Sequence, residues 1–482
     1  MSLPLRTVVA VAAAATLTGG LLTAVAAAPA VAAAPAVAAP AKYADDFNGD
    51  GHRDLAIGMP YKTINGVPAA GGVIVTFGSA TGLTTERVGL NQSSTGVPGT
   101  PEDGDRFGMS IAGGDLDGDG YADLVVGADH EGVGSNEGQG SVTILWGGKK
   151  PFISSTTTAV ADPHPWQAHG WDVAVGDFTG DGGADLAVIE SQSVAVYAGG
   201  FARGSQPTPT YTGLTGPGGQ LGNSEAAVGD INGDGKDDLA VTGSDSGYDR
   251  PAVDVFYGAA GRPRTGPRVT GGGTAVALGD INGDGYDDMA ASLTWPEYYS
   301  AADPSAGAGY VTVRYGSAAG VGDPVVIHQN SAGVPGADED ADGFGSSLAI
   351  GDITADGRAE LVVGVDGEDL GSTKNAGDVA VFRGSASGVS MSDVVRISQG
   401  TTGVPGGPET DDLFGGQVRL ADYNHNGKAD LAVTAPFENG RNGALWTLLG
   451  TASGLTGSGS KVFGSDDYGL ANGSRLGESL LD

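Results

Sequence analysis

The 482-residue chain has no cysteine, so no disulfide can staple its loops and no lipobox can carry a lipid anchor. Basic residues are few: 24 Lys and Arg stand against 58 Asp and Glu, a formal net charge of −34. A surface of that sign repels nucleic acid and anionic lipid, which argues against both as partners. Aromatics make up only 6% of the chain, and no apolar anchor closes the C-terminal end. None of the H-E-x-x-H, G-x-S-x-G or G-x-x-x-x-G-K-[ST] signatures occurs, so three hydrolase types readable from motifs have no support.

Glycine, in contrast, is abundant, with 87 residues, and it recurs beside Asp and at the ends of short apolar runs. Runs such as Leu124-Val125-Val126 and Val142-Thr143-Ile144-Leu145 are rich in β-branched residues and bounded by Gly or Asp. That pattern predicts many short strands and tight turns, hence an all-β fold. Residues 1–28 read as a signal peptide: Arg6, an Ala/Val/Leu stretch broken by Gly19-Gly20, and the A-x-A sites Ala24-Val25-Ala26 and Ala30-Val31-Ala32. Residues 29–41 form an Ala/Pro-rich segment expected to be disordered, leaving 42–482 as the folded part. The expectation is a secreted, monomeric extracellular protein with no membrane span in its mature chain.

One nine-residue pattern occurs seven times. It places oxygen side chains at positions 1, 3, 5 and 9 and Gly at position 6. The copies are Asp46, Asn48, Asp50, Asp54; Asp115, Asp117, Asp119, Asp123; Asp177, Thr179, Asp181, Asp185; and Asp230, Asn232, Asp234, Asp238. The last three are Asp280, Asn282, Asp284, Asp288; Asp352, Thr354, Asp356, Glu360; and Asp422, Asn424, Asn426, Asp430. Alternate residues of a tight turn point inward, and a hard cation such as Ca²⁺ takes six to eight oxygens at roughly 2.3–2.6 Å. Up to seven calcium sites follow. An EF-hand needs a bidentate Glu at position 12, where this chain has Ile57, Val126, Val188, Val241, Ala291, Val363 and Val433. Each loop instead runs into a strand. The seven loops hold 21 carboxylates, and seven Ca²⁺ would bring the formal charge from −34 to −20. Loop two, with four Asp, is expected to bind tightest, and loop seven, with Asn426 in place of an acid, weakest.

The loops open at Asp46, Asp115, Asp177, Asp230, Asp280, Asp352 and Asp422, and each interval has room for four short strands. In the second unit the expected strands are Phe107 to Ala112, Asp123 to Gly127 and Gly140 to Gly147; the fourth is clearest as Arg87–Leu90 in unit one and Val394–Ile397 in unit six. Phe107-Gly108, Phe344-Gly345 and Phe414-Gly415 precede a loop, and Gly127-Ala128-Asp129 or Thr434-Ala435-Pro436 follows one. These units resemble FG-GAP repeats, which build the seven-bladed propeller of integrin α chains and occur in many bacterial secreted proteins. The resemblance implies a seven-bladed β-propeller with a calcium loop between the first two strands of each blade. Units three to five keep the loop but lack Phe-Gly and Gly-Ala-Pro. The segment Ser474 to Leu481 matches Asp342 to Ala349, so the last strand is expected to complete blade one and close the ring.

Function is less legible. Trp166 and Trp171 in one long connection, and Trp295, Tyr298 and Tyr299 in another, are candidate ligand contacts; covering blade edges is the plainer role for them. Trp146 shares its position with Phe77, Tyr257 and Tyr315 and is expected in the core. His52 and His425 occupy non-ligand loop positions and are expected to be solvated. The leading expectation is a recognition or adhesion module for an extracellular glycan or protein, with no catalytic residue assigned. The alternative is a polysaccharide lyase-like enzyme using His164, His169, Tyr298 or Tyr299 as its base.

Overall fold

The computed structural model describes residues 41–481, apart from 135, 153–154, 158–166, 206, 217–220, 222–224, 245–250 and 295–306. Seven four-stranded antiparallel sheets form the seven blades of a β-propeller. Blade two is Ile111–Gly114, Asp123–Ala128, Ser141–Leu145 and Ser155–Thr157, in that order from inside to outside. Blade three repeats the order with Asp172–Gly176, Asp185–Ile189, Val194–Tyr197 and Tyr211–Leu214. Blades four to seven follow it from Ala226–Gly229 to Gly454–Gly464. In blade one the innermost strand is Ser479–Leu480, paired antiparallel to Leu55–Gly58 through Ile57↔Leu480. This late strand therefore closes the ring, as its sequence match to the other first strands predicts.

The second and third strands of the blades are buried on both faces, which is why they read as unbroken Val/Ile/Leu/Ala runs rather than alternating ones. Trp146 is 1% exposed and packs in this core, as its periodic placement implies.

The Phe-Gly pair precedes the first strand in blades two and seven, whereas Phe344-Gly345 opens the first strand of blade six. Phe107 and Gly108 make a corner, with Gly108 at φ 88°, and the strand begins at Ile111. That corner is the joint between blades. Phe107 is buried among side chains of blade one, and its backbone crosses Gly71 so closely that a Cβ there would lie 2.3 Å from the Phe107 oxygen. Gly58 is equally constrained, since a Cβ would meet the Gly108 carbonyl at 2.3 Å. The same parallel bridge joins Gly140 to His169 and Gly443 to Leu476. Gly309 and Gly377 lie against Phe344 and Phe414 in the same way. Glycine is required at these places because a neighbouring backbone occupies the Cβ position. His169-Gly170 and Leu476-Gly477 are thus structural equivalents of Phe-Gly, so unit three keeps the joint without its signature.

Candidate metal centres

Each nine-residue loop is organised by its first carboxylate, which accepts the backbone N–H groups of positions 5 and 6. Asp115 takes Asp119 and Gly120 at 3.0 Å each; Asp46, Asp177, Asp230, Asp280, Asp352 and Asp422 do the same. Position 6 is glycine at φ 79–92° in all seven, the left-handed conformation that reverses the chain. Position 4 is left-handed too, and there Ala355 and His425 adopt φ 58° and 60° without being glycine.

The ninth residue braces the loop to the rest of its blade. Asp123 accepts the N–H of Leu116 at 2.9 Å and that of Gly147, just past the third strand, at 2.8 Å. Asp54, Asp238 and Asp288 make the corresponding pairs, and Asp430 accepts Gly450. Burial pushes these acids up: Asp54 to about 8, Asp123, Asp238 and Glu360 to about 7, Asp288 and Asp430 to about 6, with the other acids of each loop adding to the rise. A cation at the loop centre would favour the ionised form of these carboxyls against the effect of burial.

The donor set fits calcium. Asp115, Asp117 and Asp123 each bring one oxygen within 4.8 Å of the others, the span of opposite ligands at calcium–oxygen distances of roughly 2.4 Å. Four more loop oxygens at ligand positions are buried without a hydrogen-bond partner: Thr179 Oγ1, Thr354 Oγ1, Glu360 Oε1 and Asn424 Oδ1. A buried oxygen left unpaired is costly, and a cation at the loop centre would satisfy it. In loops one, four, five and seven the third position is Asn, and Asn48 and Asn282 accept the N–H of Asp50 and Asp284 at 2.8 Å.

Several loop contacts escaped the sequence. The Arg203 guanidinium, leaving blade three, bonds Asp117 and Asp119 of loop two, and Lys236 bonds Asp234 of loop four. His425 is exposed, as expected, and also places Nδ1 2.8 Å from the Gly51 carbonyl. A carbonyl only accepts, so Nδ1 carries the proton and ties loop seven to loop one.

At the opposite end of the innermost strands a cavity of about 160 Å³ is lined by Met109, Trp171, Asp172, Glu225, Gln417 and Glu478, among others. Trp171 is half-buried, with the Arg106 guanidinium 5.8 Å from its ring centre. Of the other nominated aromatics, Trp166, Trp295, Tyr298 and Tyr299 lie outside the described residues, as does His164. His169 is 0% exposed, bonded to Glu190 at 2.8 Å and to the Tyr197 hydroxyl at 3.3 Å. It belongs to the blade joint and cannot meet a polymeric substrate, so it is withdrawn as a lyase base. Among the described residues no helix is long and apolar enough to cross a membrane.

The FG-GAP repeat profile matches residues 107–145, 344–382 and 414–448, and the FG-GAP-like repeat profile matches 177–241 and 230–291. Among curated proteins, phosphatidylinositol-glycan-specific phospholipase D of Rattus norvegicus is 29% identical over 144 residues, 30% of this chain and 17% of that protein. Integrin alpha-PS5 of Drosophila melanogaster is 31% identical over 115 residues, 23% of this chain and 10% of that protein. The matched segments therefore span only a small part of these relatives. A solved protein from Lactobacillus plantarum aligns over 84% of this chain and 94% of its own, at 15% identity and a TM-score of 0.47. With the repeat matched in both of its variants and seven blades closed into one ring, this chain carries FG-GAP repeats within a seven-bladed β-propeller.

Proposed function

We propose that this propeller is an exported, monomeric, calcium-stabilised recognition module that binds an extracellular glycan or protein. The observation that carries the reading is the division of labour between the two ends of the innermost strands. One end is given over to the seven acidic loops, whose first and ninth carboxylates hold the fold. The other end presents Trp171 beside Asp172, Glu225 and Glu478 around a small cavity. A flat ring rimmed by carboxylates suits a sugar face or a projecting basic side chain of a partner.

Calcium acts here on stability. Binding only the folded state at about 100 times its dissociation constant adds roughly 2.7 kcal/mol per independent site. The melting temperature of the full chain is expected to fall sharply when chelator replaces calcium; an unchanged value would remove the calcium reading. Glycan and extracellular-protein arrays then test recognition. Calcium-dependent retention that is lost in Trp171→Ala supports the proposed face, and retention indifferent to that substitution moves the ligand elsewhere. N-terminal sequencing of protein from culture medium checks export with cleavage near residue 28.

A further inference from the structure

The first strands of the blades surround the propeller axis, and in five of them one register position is alanine. Ala112, Ala174, Ala227, Ala277 and Ala349 stand opposite Val125, Ala187, Ala240, Ala290 and Val362, each two residues after the ninth loop position. In blade seven the same place, opposite Ala432, is Arg419. Leu481, whose N–H donates to the Ala56 carbonyl of blade one, completes the layer. This layer lines a cavity of about 360 Å³ at the loop end of the innermost strands. Only Arg53 and Arg419 bring polar side chains to it; every other lining residue is Gly, Ala, Val, Leu or Ile. Ala226, Val276, Leu348 and Val418 also line the cavity beside Trp171, so the two spaces share walls. The volume falls in the usual range of small-molecule sites, roughly 300–1,000 Å³. Water in such a bore faces apolar wall and finds few partners.

The charge at its mouth does not balance. Arg53 donates Nε to Asp45 at 2.8 Å and Arg419 donates Nη2 to it at 2.9 Å, so one fully buried carboxylate serves two guanidiniums. Arg419 also donates to the Leu481 carbonyl, a neutral acceptor. Among the described residues neither arginine pairs with a second carboxylate. Their side chains are 26% and 12% exposed, which holds the surplus positive charge largely out of water. Arg53 alone would neutralise Asp45, and five blades carry alanine where Arg419 stands, so Arg419 exceeds what charge balance in this clasp requires. At the far end Asp172, Glu225 and Glu478 give the opposite sign. One end of an apolar bore therefore attracts an anion and the other repels it.

We propose that this channel binds a single-chain carboxylate of the fatty-acid class, its head on Arg53 and Arg419 and its tail along the alanine layer. The carboxylate neutralises the surplus guanidinium charge, and the tail covers wall that water would otherwise wet. This ligand is separate from the glycan or protein proposed for the Trp171 face and does not depend on it.

The test is isothermal titration calorimetry of octanoate, decanoate and dodecanoate into the full chain, gel-filtered free of excess calcium so that no insoluble soap forms. Each added methylene is expected to tighten binding by about four-fold. Decyltrimethylammonium, with the tail of decanoate and the opposite charge, should bind at least about ten-fold more weakly than decanoate. No binding of any carboxylate, affinity indifferent to tail length, or a preference for the ammonium overturns the proposal. Arg419→Ala, which restores the residue of the other blades, should weaken decanoate by at least about ten-fold and leave decanol unaffected; unchanged decanoate affinity in this variant is a second refutation. Ala227→Phe narrows the bore from blade four, across the ring from both arginines, and should abolish binding of decanoate and decanol alike. Should either variant fail to fold, crystals of the unsubstituted chain soaked with ω-bromodecanoate decide. A bromine peak inside the channel supports the proposal, and a peak elsewhere or none refutes it.

Discussion

At the entrance to blade two the ring of Phe107 enters an apolar slot, whereas the same corner at the entrance to blade three carries His169 in a polar network. Phe107 packs with Ile57, Met59 and Ala128 in one apolar cluster. His169, just as buried, bonds Glu190, which also accepts Gln167 and Ser193, while the Tyr197 hydroxyl closes the other side of the ring. The joint thus depends on backbone geometry, a left-handed Gly108 or Gly170 after a flat side chain, and tolerates either chemistry inside it. What differs is the kind of failure each is open to. An apolar slot fails by losing volume, a polar one by losing a partner.

The comparison breaks most visibly at Phe107. Phe107→Ala should cost about 3–5 kcal/mol, the usual penalty for deleting a buried aromatic ring, measured as a fall in denaturant midpoint. Glu190→Ala should cost about 1–3 kcal/mol by removing the carboxylate that accepts from buried His169, Gln167 and Ser193. The pair His169→Phe with Glu190→Ala rebuilds the slot of blade two and should come within about 1.5 kcal/mol of the parent. If the pair were as damaged as Glu190→Ala alone, the two joints would not be interchangeable.

Acid sharpens the contrast further. Burial by itself would raise Glu190, but the hydrogen bond and charge of His169, with Ser193 and Gln167, outweigh it and hold the carboxyl below its ordinary value of 4.5. A carboxyl lowered by folding contributes stability above its unfolded value and loses it as pH falls through the folded one. The parent should therefore lose stability more steeply below pH 4.5 than the His169→Phe, Glu190→Ala pair, as followed by denaturation at stepped pH. The smallest effect concerns Arg203, which leaves blade three and lands on the loop of blade two. Removing an exposed ion pair of up to about 1 kcal/mol, Arg203→Gln should tighten calcium at loop two by up to about five-fold in competition with a fluorescent chelator.

The loops were fully legible in sequence because a tight turn imposes fixed spacing and left-handed glycine, and both survive as letters. The strand runs and the closing role of Leu480 were readable for the same reason of local pattern. His169 was not recognised as a joint residue because the slot constrains a backbone corner and a flat ring, and neither requirement is specific to phenylalanine. Arg203 and His425 were missed differently: their partners lie 86 and 374 residues away, and only the closed ring brings them together.

Blade one draws its strands from both extremities of the propeller, and its Ile57↔Leu480 pairing joins the first strand formed to the last. Asp45, fully buried, adds a clasp to this seam by holding Arg53 of blade one and Arg419 of blade seven at 2.8 and 2.9 Å. During synthesis blade one must wait, three strands wide with an open inner edge, until all six others have emerged. Its pairing is the highest contact-order event in the molecule and belongs at the slow end of folding. A circular permutant opened at another blade's outer connection would convert that last long-range step into a local hairpin, with the same ring at the end.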